Sequence, residues 1–329
     1  MSPGERTPSN SPTLAVSANR LSATLAQART DADERVRSGV IEVNELTAEI
    51  AALNEQIVPL KLSGTSVGDL LDRRDLAIDR LSQLVNINYF ETQSGSVEVS
   101  TGGHPLVAGY NAFALETVPN ILNSNFVDVR FVADAIPLSV KSGEIRAYLD
   151  LRDIYVPARI ADLDTLVADV IADVNLVHAA GFGLDGVTGR AFFTGVGAGT
   201  IAVDAVVAAN PNALAASATL LGLPGDASNA LAIADLQYVK GLTGGTQTYN
   251  EFYGSLVSGI GVTLREARNR GAAQDLVLEQ LRLQRESTSG VSLDEEMVSL
   301  VKYQRAYEAA SKLVAVADEM LDTLINRMI

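Results

Sequence analysis

The sequence predicts a mainly α protein: an elongated antiparallel helical bundle, interrupted by a small antiparallel β insertion and ending in a long amphipathic helix. Three observations carry this prediction. Apolar or small residues recur every three or four positions over most of the chain. Between Asn86 and about Lys141 the period drops to two. From Ser292 to Ile329 helical spacing then holds to the last residue.

Residues 1–12 are rich in Pro and Ser and read as a disordered tail. From Thr13 the series Leu14, Ala18, Leu21, Leu25, Ala28, Ala32, Val36, Val43, Leu46, Ile50, Leu53 and Ile57 predicts one long helix, stopped at Pro59 and the Gly64–Gly68 stretch. Asp69 opens a second helix with Leu71, Ile78, Leu81 and Val85 inward, so that 13–85 forms a helical hairpin. The segment 86–142 alternates in "SVEVS" and "FVDVRFV", with glycine and asparagine turns between, and predicts antiparallel strands. Residues 143–289 return to helical spacing. Pro157 marks the start of a helix carrying Ile160, Leu163, Val167, Val170, Val174 and Val177, stopped at Gly181. A flexible loop follows near 194–223, then a short helix capped near Asp226, then a long helix from about Tyr249 to Arg285.

The segment 290–329 is the candidate functional element. Leu293, Met297, Leu300, Gln304, Tyr307, Ser311, Val314, Asp318, Leu321, Ile325 and Met328 follow spacings of four and three, a coiled-coil-like seam. Ser292 and Glu295 make an S-x-x-E capping box, and Glu308 with Lys312 forms an i, i+4 pair. Such a face packs either on its own domain or on a partner.

Composition excludes several classes. A net charge of −15 repels nucleic acid and anionic membrane, which both require clustered cations. There is no Cys, hence no disulfide, thiol nucleophile or cysteine-held zinc. The start lacks the apolar region of a Sec-type signal peptide. The most apolar stretches, Ile201–Leu223 and Leu163–Ala180, are each broken by Asp residues, the first by Pro211 as well, so neither spans a bilayer.

No catalytic, metal or cofactor residues emerge. Gly181, Gly183 and Gly186 fit G-x-G-x-x-G, but they end a helix rather than join a strand to one, so they read as a cap and turn where glycine supplies positive φ. Gly195–Gly199 lacks the Lys of a phosphate loop. His104 and His178 are far apart, and His178 lies in a helical stripe, which suits a satisfied, partly buried imidazole. Glu295–Glu296 and Asp318–Glu319 are adjacent on a helix and point apart.

The words of the C-terminal segment are more specific than its period. Val291–Glu296 ("VSLDEE"), Tyr303–Tyr307 ("YQRAY") and Ala317–Leu324 ("ADEMLDTL") resemble the C-terminus of flagellar rod, hook and hook-associated proteins. Val43–Ile57 ("VNELTAEIAALNEQI") with Asp69–Ile87 ("DLLDRRDLAIDRLSQLVNI"), Gly183–Phe193 ("GLDGVTGRAFF") and Gly225–Gln237 ("GDASNALAIADLQ") narrow the resemblance to the hook–filament junction proteins of the hook-associated protein 1 family.

The resemblance implies a non-enzymatic, extracellular component of the bacterial flagellum, exported through the flagellum's own type III channel without a cleaved signal. It implies head-to-tail assembly into a ring between hook and filament. Partners would be other copies of the chain, the hook protein and the second junction protein, with an export chaperone guarding the terminal helix before assembly. It also implies an N-terminal helix ending in a motif like "NNIANANTPGYSRQ" and large β domains after the Phe192–Phe193 pair. Neither has a counterpart here, so the chain reads as a shortened member. The alternatives are a secreted coiled-coil adhesin or effector and a wall hydrolase.

Overall fold

The computed structural model describes residues 10–289 and 293–327, with side chains apart from 10–13, 243–244, 285–289, 293–296 and 317–327. Of the tail read at 1–12, residues 1–9 lie outside the described residues, and Asn10 already belongs to a helix. The chain is mainly helical with small antiparallel sheets, and it divides into two units, Met1–Leu256 and Val257–Ile329.

The first unit is organised on α1, Asn10–Leu62. Pro59, the expected stop, lies inside its last turn. The helix ends instead at Gly64 (φ 74°), where Ser63 N–H bonds the Pro59 carbonyl and Thr65 N–H the Leu60 carbonyl. The returning helix α2, Gly68–Leu84, runs antiparallel to the C-terminal half of α1. Arg73 meets Glu49 at 3.0 Å and Arg80 meets Glu42 at 2.6 Å, while Ala77, Ile78, Leu81 and Leu84 face inward.

Along the N-terminal half of α1 runs a second antiparallel partner. It starts at Glu144, thirteen residues before Pro157: α3 (Glu144–Asp150) continues through a π turn (Leu151–Tyr155) into α4 (Val156–Ala180). A proline removes one helical N–H and its ring crowds the carbonyl four residues back. Here the π turn widens the helix just before Pro157, with Val156 N–H bonding Leu151 five residues back, and the helix passes through. α3 approaches α1 closely at Gly39, where an added Cβ would lie 3.0 Å from Ile145 Cγ1.

Strands β1 (Asn88–Glu91), β2 (Val97–Thr101), β3 (His104–Ala108) and β4 (Asn111–Ala112) form an antiparallel meander in chain order. Gly102 and Gly103, both with positive φ, turn β2 into β3. Strands β5 (Leu115–Pro119) and β6 (Val127–Phe131) form a separate hairpin. Period-two burial puts Val97, Val99, Val127, Val129 and Phe131 against Val36, Val40, Val43 and Ile50 of α1 and Ile78 and Leu81 of α2 in one core.

A second core joins Ala15 and Ala18 of α1, Leu163, Val167 and Ile171 of α4, and Phe192, Phe193, Ala198, Ile201 and Val207. Residues 194–223, read as a flexible loop, therefore contribute to a packed core. With Phe193 they form the hairpin β7 (Phe193–Thr194) with β8 (Ala202–Val203), followed by the helix α5 (Ala205–Ala209). Leu53, Ile57 and Val67 make a third, smaller cluster at the far end of α1.

Asparagines tie strands to helices. Asn44 Nδ2 donates to the Leu115 carbonyl and its Oδ1 accepts the Leu115 N–H, both at 2.8 Å, as a neighbouring strand would. Buried Asn54 repeats this with Val97 at 2.8 and 2.9 Å, and Asn175 with Phe193 at 2.9 and 2.8 Å. Satisfying strand backbone this way removes the cost of burying it, about 1–3 kcal/mol per unpaired group.

Candidate assembly interface

The first unit continues through α6 (Ser228–Asp235) and α7 (Leu242–Gly245) to the start of a long helix that is tied to α4. Helix α8, Tyr249–Ser289, opens with a T-x-x-E capping box that the sequence reading missed. Glu251 Oε2 accepts the Thr248 N–H at 2.8 Å, and Thr248 Oγ1 accepts the Glu251 N–H at 3.3 Å. Tyr249 donates its hydroxyl to Asp173 of α4 at 2.5 Å. Burial and the Asp173 carboxylate together raise the phenol pKa, so the hydroxyl keeps its proton and the anchor holds. Phe252 and Leu256 are half-covered.

Ile260, Val277 and Leu281 of α8 are all exposed, and among the described residues of the second unit none is buried.

Helix α9, Leu293–Arg327, contains the predicted seam. Its described members Met297, Leu300, Gln304, Tyr307, Ser311 and Val314 are all exposed, Met297 at 65% and Tyr307 at 76%. Leu293, Asp318, Leu321 and Ile325 belong to α9, but their side chains lie outside the described residues, as does all of Met328. Of the expected capping box, Ser292 and the Glu295 side chain also lie outside them. Glu308 is met by Arg305 at 3.3 Å, not by Lys312. Val298, Val301, Leu313 and Val316 are exposed as well, so the apolar surface is wider than a two-position seam.

The features that suggested other chemistry are structural. Gly181 closes α4 with φ −91°, not the positive φ expected of it; the left-handed positions are Gly186 and Gly189. Gly181 is needed because a Cβ there would lie 2.2 Å from Asn229 Nδ2. His178 is fully buried, more than expected. Its Nε2 accepts the Ala215 N–H at 3.0 Å, so Nδ1 carries the proton and donates to the Arg190 carbonyl at 2.9 Å. Asp226 lies just before α6 (Ser228–Asp235) and accepts the N–H of its first residue: hydrogen bonds from the Ser217 hydroxyl, from Ser228 and from the Ala218 N–H hold its pKa at about 2.

A family model described as "Flagellar hook-associated protein FlgK helical domain" matches residues 6–193, and one described as "Flagellar basal body rod FlgEFG protein C-terminal" matches residues 284–328. Flagellar hook-associated protein 1 of Bacillus subtilis (strain 168) is 28% identical over 350 residues, covering 94% of this chain and 68% of its own length. The protein of that name from Escherichia coli (strain K12) is 26% identical over 393 residues, covering 90% and 72%. Among solved structures, the flagellar hook junction protein FlgK from Burkholderia pseudomallei superposes with a TM-score of 0.50 at 28% identity. That match covers 56% of this chain and 35% of the Burkholderia chain. With the helical-domain model matching more than half of its length, the chain belongs to the flagellar hook-associated protein FlgK family, structural proteins of the hook–filament junction.

Proposed function

We propose that this chain is a structural subunit of the flagellar hook–filament junction that docks on its neighbours through the apolar face of α9. The observation that carries the reading is the uniform exposure, among the described residues, of the seam members Met297, Leu300, Gln304, Tyr307, Ser311 and Val314. Leu293, Leu321, Ile325 and Met328 extend the seam by their spacing. Packing along a tubular axis calls for a heterologous contact, in which two different patches meet. The partners are further copies of the chain, the hook protein on one side and the second junction protein on the other. Before assembly an export chaperone covers the same face, and the chain reaches the flagellum outside the cell without cleavage of a signal.

Burying Leu300 and Val314 on docking contributes about 1.5–3 kcal/mol each. Replacing both by Asp removes that gain and introduces two buried charges, a loss of more than about a hundredfold in occupancy at 1.4 kcal/mol per tenfold. Leu300→Asp/Val314→Asp and the single variant Leu321→Asp should therefore fail to enter flagella, while thermal melting of the first unit stays at the parental value. Incorporation at the parental level would remove α9 as the docking element.

A further inference from the structure

Sulfur is distributed unevenly along this chain. There is no Cys, and apart from Met1 every methionine, Met297, Met320 and Met328, belongs to the C-terminal segment. The first unit from residue 2 onward therefore holds no sulfur, and with no Trp it offers a peroxide no ready target. By spacing, Met297 and Met328 fall on the α9 seam and Met320 falls off it. Met297 is 65% exposed in the first turns of α9, and Leu300 and Val301, one turn further on, are exposed with it.

Susceptibility of a thioether to oxidation follows its access to solvent, so the free chain presents this sulfur where a peroxide reaches it. The sulfoxide keeps the length of the side chain but turns an apolar group into a strong hydrogen-bond acceptor. While α9 is undocked, water satisfies that oxygen. A seam closed over it leaves the oxygen unpaired, which costs the docked state about ten- to a hundredfold in affinity. Docking in turn covers the sulfur and shields it from the same reagent.

We propose that Met297 is a modification site, and that its oxidation by a peroxide before assembly blocks docking through α9. The inference rests on the reading that α9 is the docking element. In the step itself the sulfur lone pair attacks one peroxide oxygen. The S–O bond forms as the O–O bond breaks, and the departing hydroxide takes the proton of the transferred oxygen, leaving a sulfoxide and water. Purified full-length chain, before and after hydrogen peroxide, is titrated onto isolated hooks that lack the chain, with peptide mass spectrometry reporting the added oxygen at Met297. Treatment should weaken binding about ten- to a hundredfold, and methionine sulfoxide reductases of both epimer specificities, with a dithiol as reductant, should restore it. Met297→Leu, compared only with itself, should bind alike before and after treatment. Unchanged binding by parental chain that carries the oxygen at Met297, or an equal loss in Met297→Leu, overturns the inference. Untreated Leu300→Asp/Val314→Asp separates the two claims. Parental binding by that variant removes α9 docking and this inference with it, whereas weakened binding by the variant, beside full binding by the oxidised parent, removes this inference alone.

Discussion

The π turn places Arg152 inside the first unit, and Arg152→Met tests what that placement contributes. Arg152 and Asp33 are 1% and 5% exposed, and they meet at 2.6 Å. The guanidinium also donates to the Val127 carbonyl at 2.8 Å and to both oxygens of Asp153 at 2.9 and 2.7 Å. Arg29 extends the cluster, donating to the Arg152 carbonyl at 2.9 Å and lying 4.7 Å over the Phe126 ring. Burial pulls the Arg152 pKa down, but Asp153 and Asp33 outweigh it and the net shift is upward, so the charge is held throughout the working range.

Methionine fills much of the space but leaves Asp33 as a buried carboxylate with only Val127 N–H at 2.8 Å and the half-exposed Arg37 at 2.9 Å. Breaking a buried pair from one side costs about 3–5 kcal/mol, and the two surviving partners put this case near about 3. At about 2–4 °C per kcal/mol for a unit of this size, the melting temperature should fall by roughly 6–12 °C. With no Trp in the chain, the near-ultraviolet circular dichroism of its tyrosines, Tyr148 and Tyr155 beside the turn among them, follows the transition without relying on helix content. Asp33→Leu/Arg152→Met should lose less than the sum of its single changes, since no charge is then stranded. A loss under about 1 kcal/mol for Arg152→Met, the value of an exposed pair, would refute the reasoning.

Two further outcomes follow from local geometry. Gly143→Ala should destabilise the unit by more than about 1–3 kcal/mol in a denaturant titration, because φ there is 97° and the new Cβ would lie 2.6 Å from the Leu84 carbonyl oxygen; a neutral effect would mean that the α2–α3 junction yields freely. Asp226, with a folded pKa of about 2 against an ordinary 3.8, contributes stability that is present above pH 3.8 and lost as pH falls toward 2, since the unfolded chain binds the proton first. The gap in melting temperature between the parent and Asp226→Asn should therefore narrow over that interval, and a constant gap would remove the carboxylate's charge from the account.

Local periodicity made much of this fold legible. The three- and four-residue spacing located α1, α2 and the body of α4, and the alternation in "SVEVS" and "FVDVRFV" located β2 and β6. It failed where long-range contacts decide. Pro157 carries the ordinary mark of a helix start, and only the π turn beneath it lets the helix begin at Glu144. The small residue Ala198 looks like loop chain in sequence, yet it is buried because it joins α4 and the aromatic pair Phe192–Phe193 in one core. A buried Asn54 that ties a strand to a helix cannot be told from a surface asparagine by its neighbours in sequence. At the candidate interface, spacing proposes the α9 seam but says nothing of the exposure of α8, because a stripe reads the same whether its own chain or another covers it.

One consequence of the layout concerns how the first unit comes apart. Helix α1 rises about 1.5 Å per residue, on the order of 80 Å in all, and serves in succession as a wall of all three hydrophobic clusters. Melting any one cluster strips a flank of the same rod on which the others rest, and fraying is propagated along it. The sheet, the hairpin and the glycine-rich stretch, though separate in sequence, should thus be lost in a single all-or-none event, with matching hydrogen-exchange protection at sites as distant as Ala18 and Ile57.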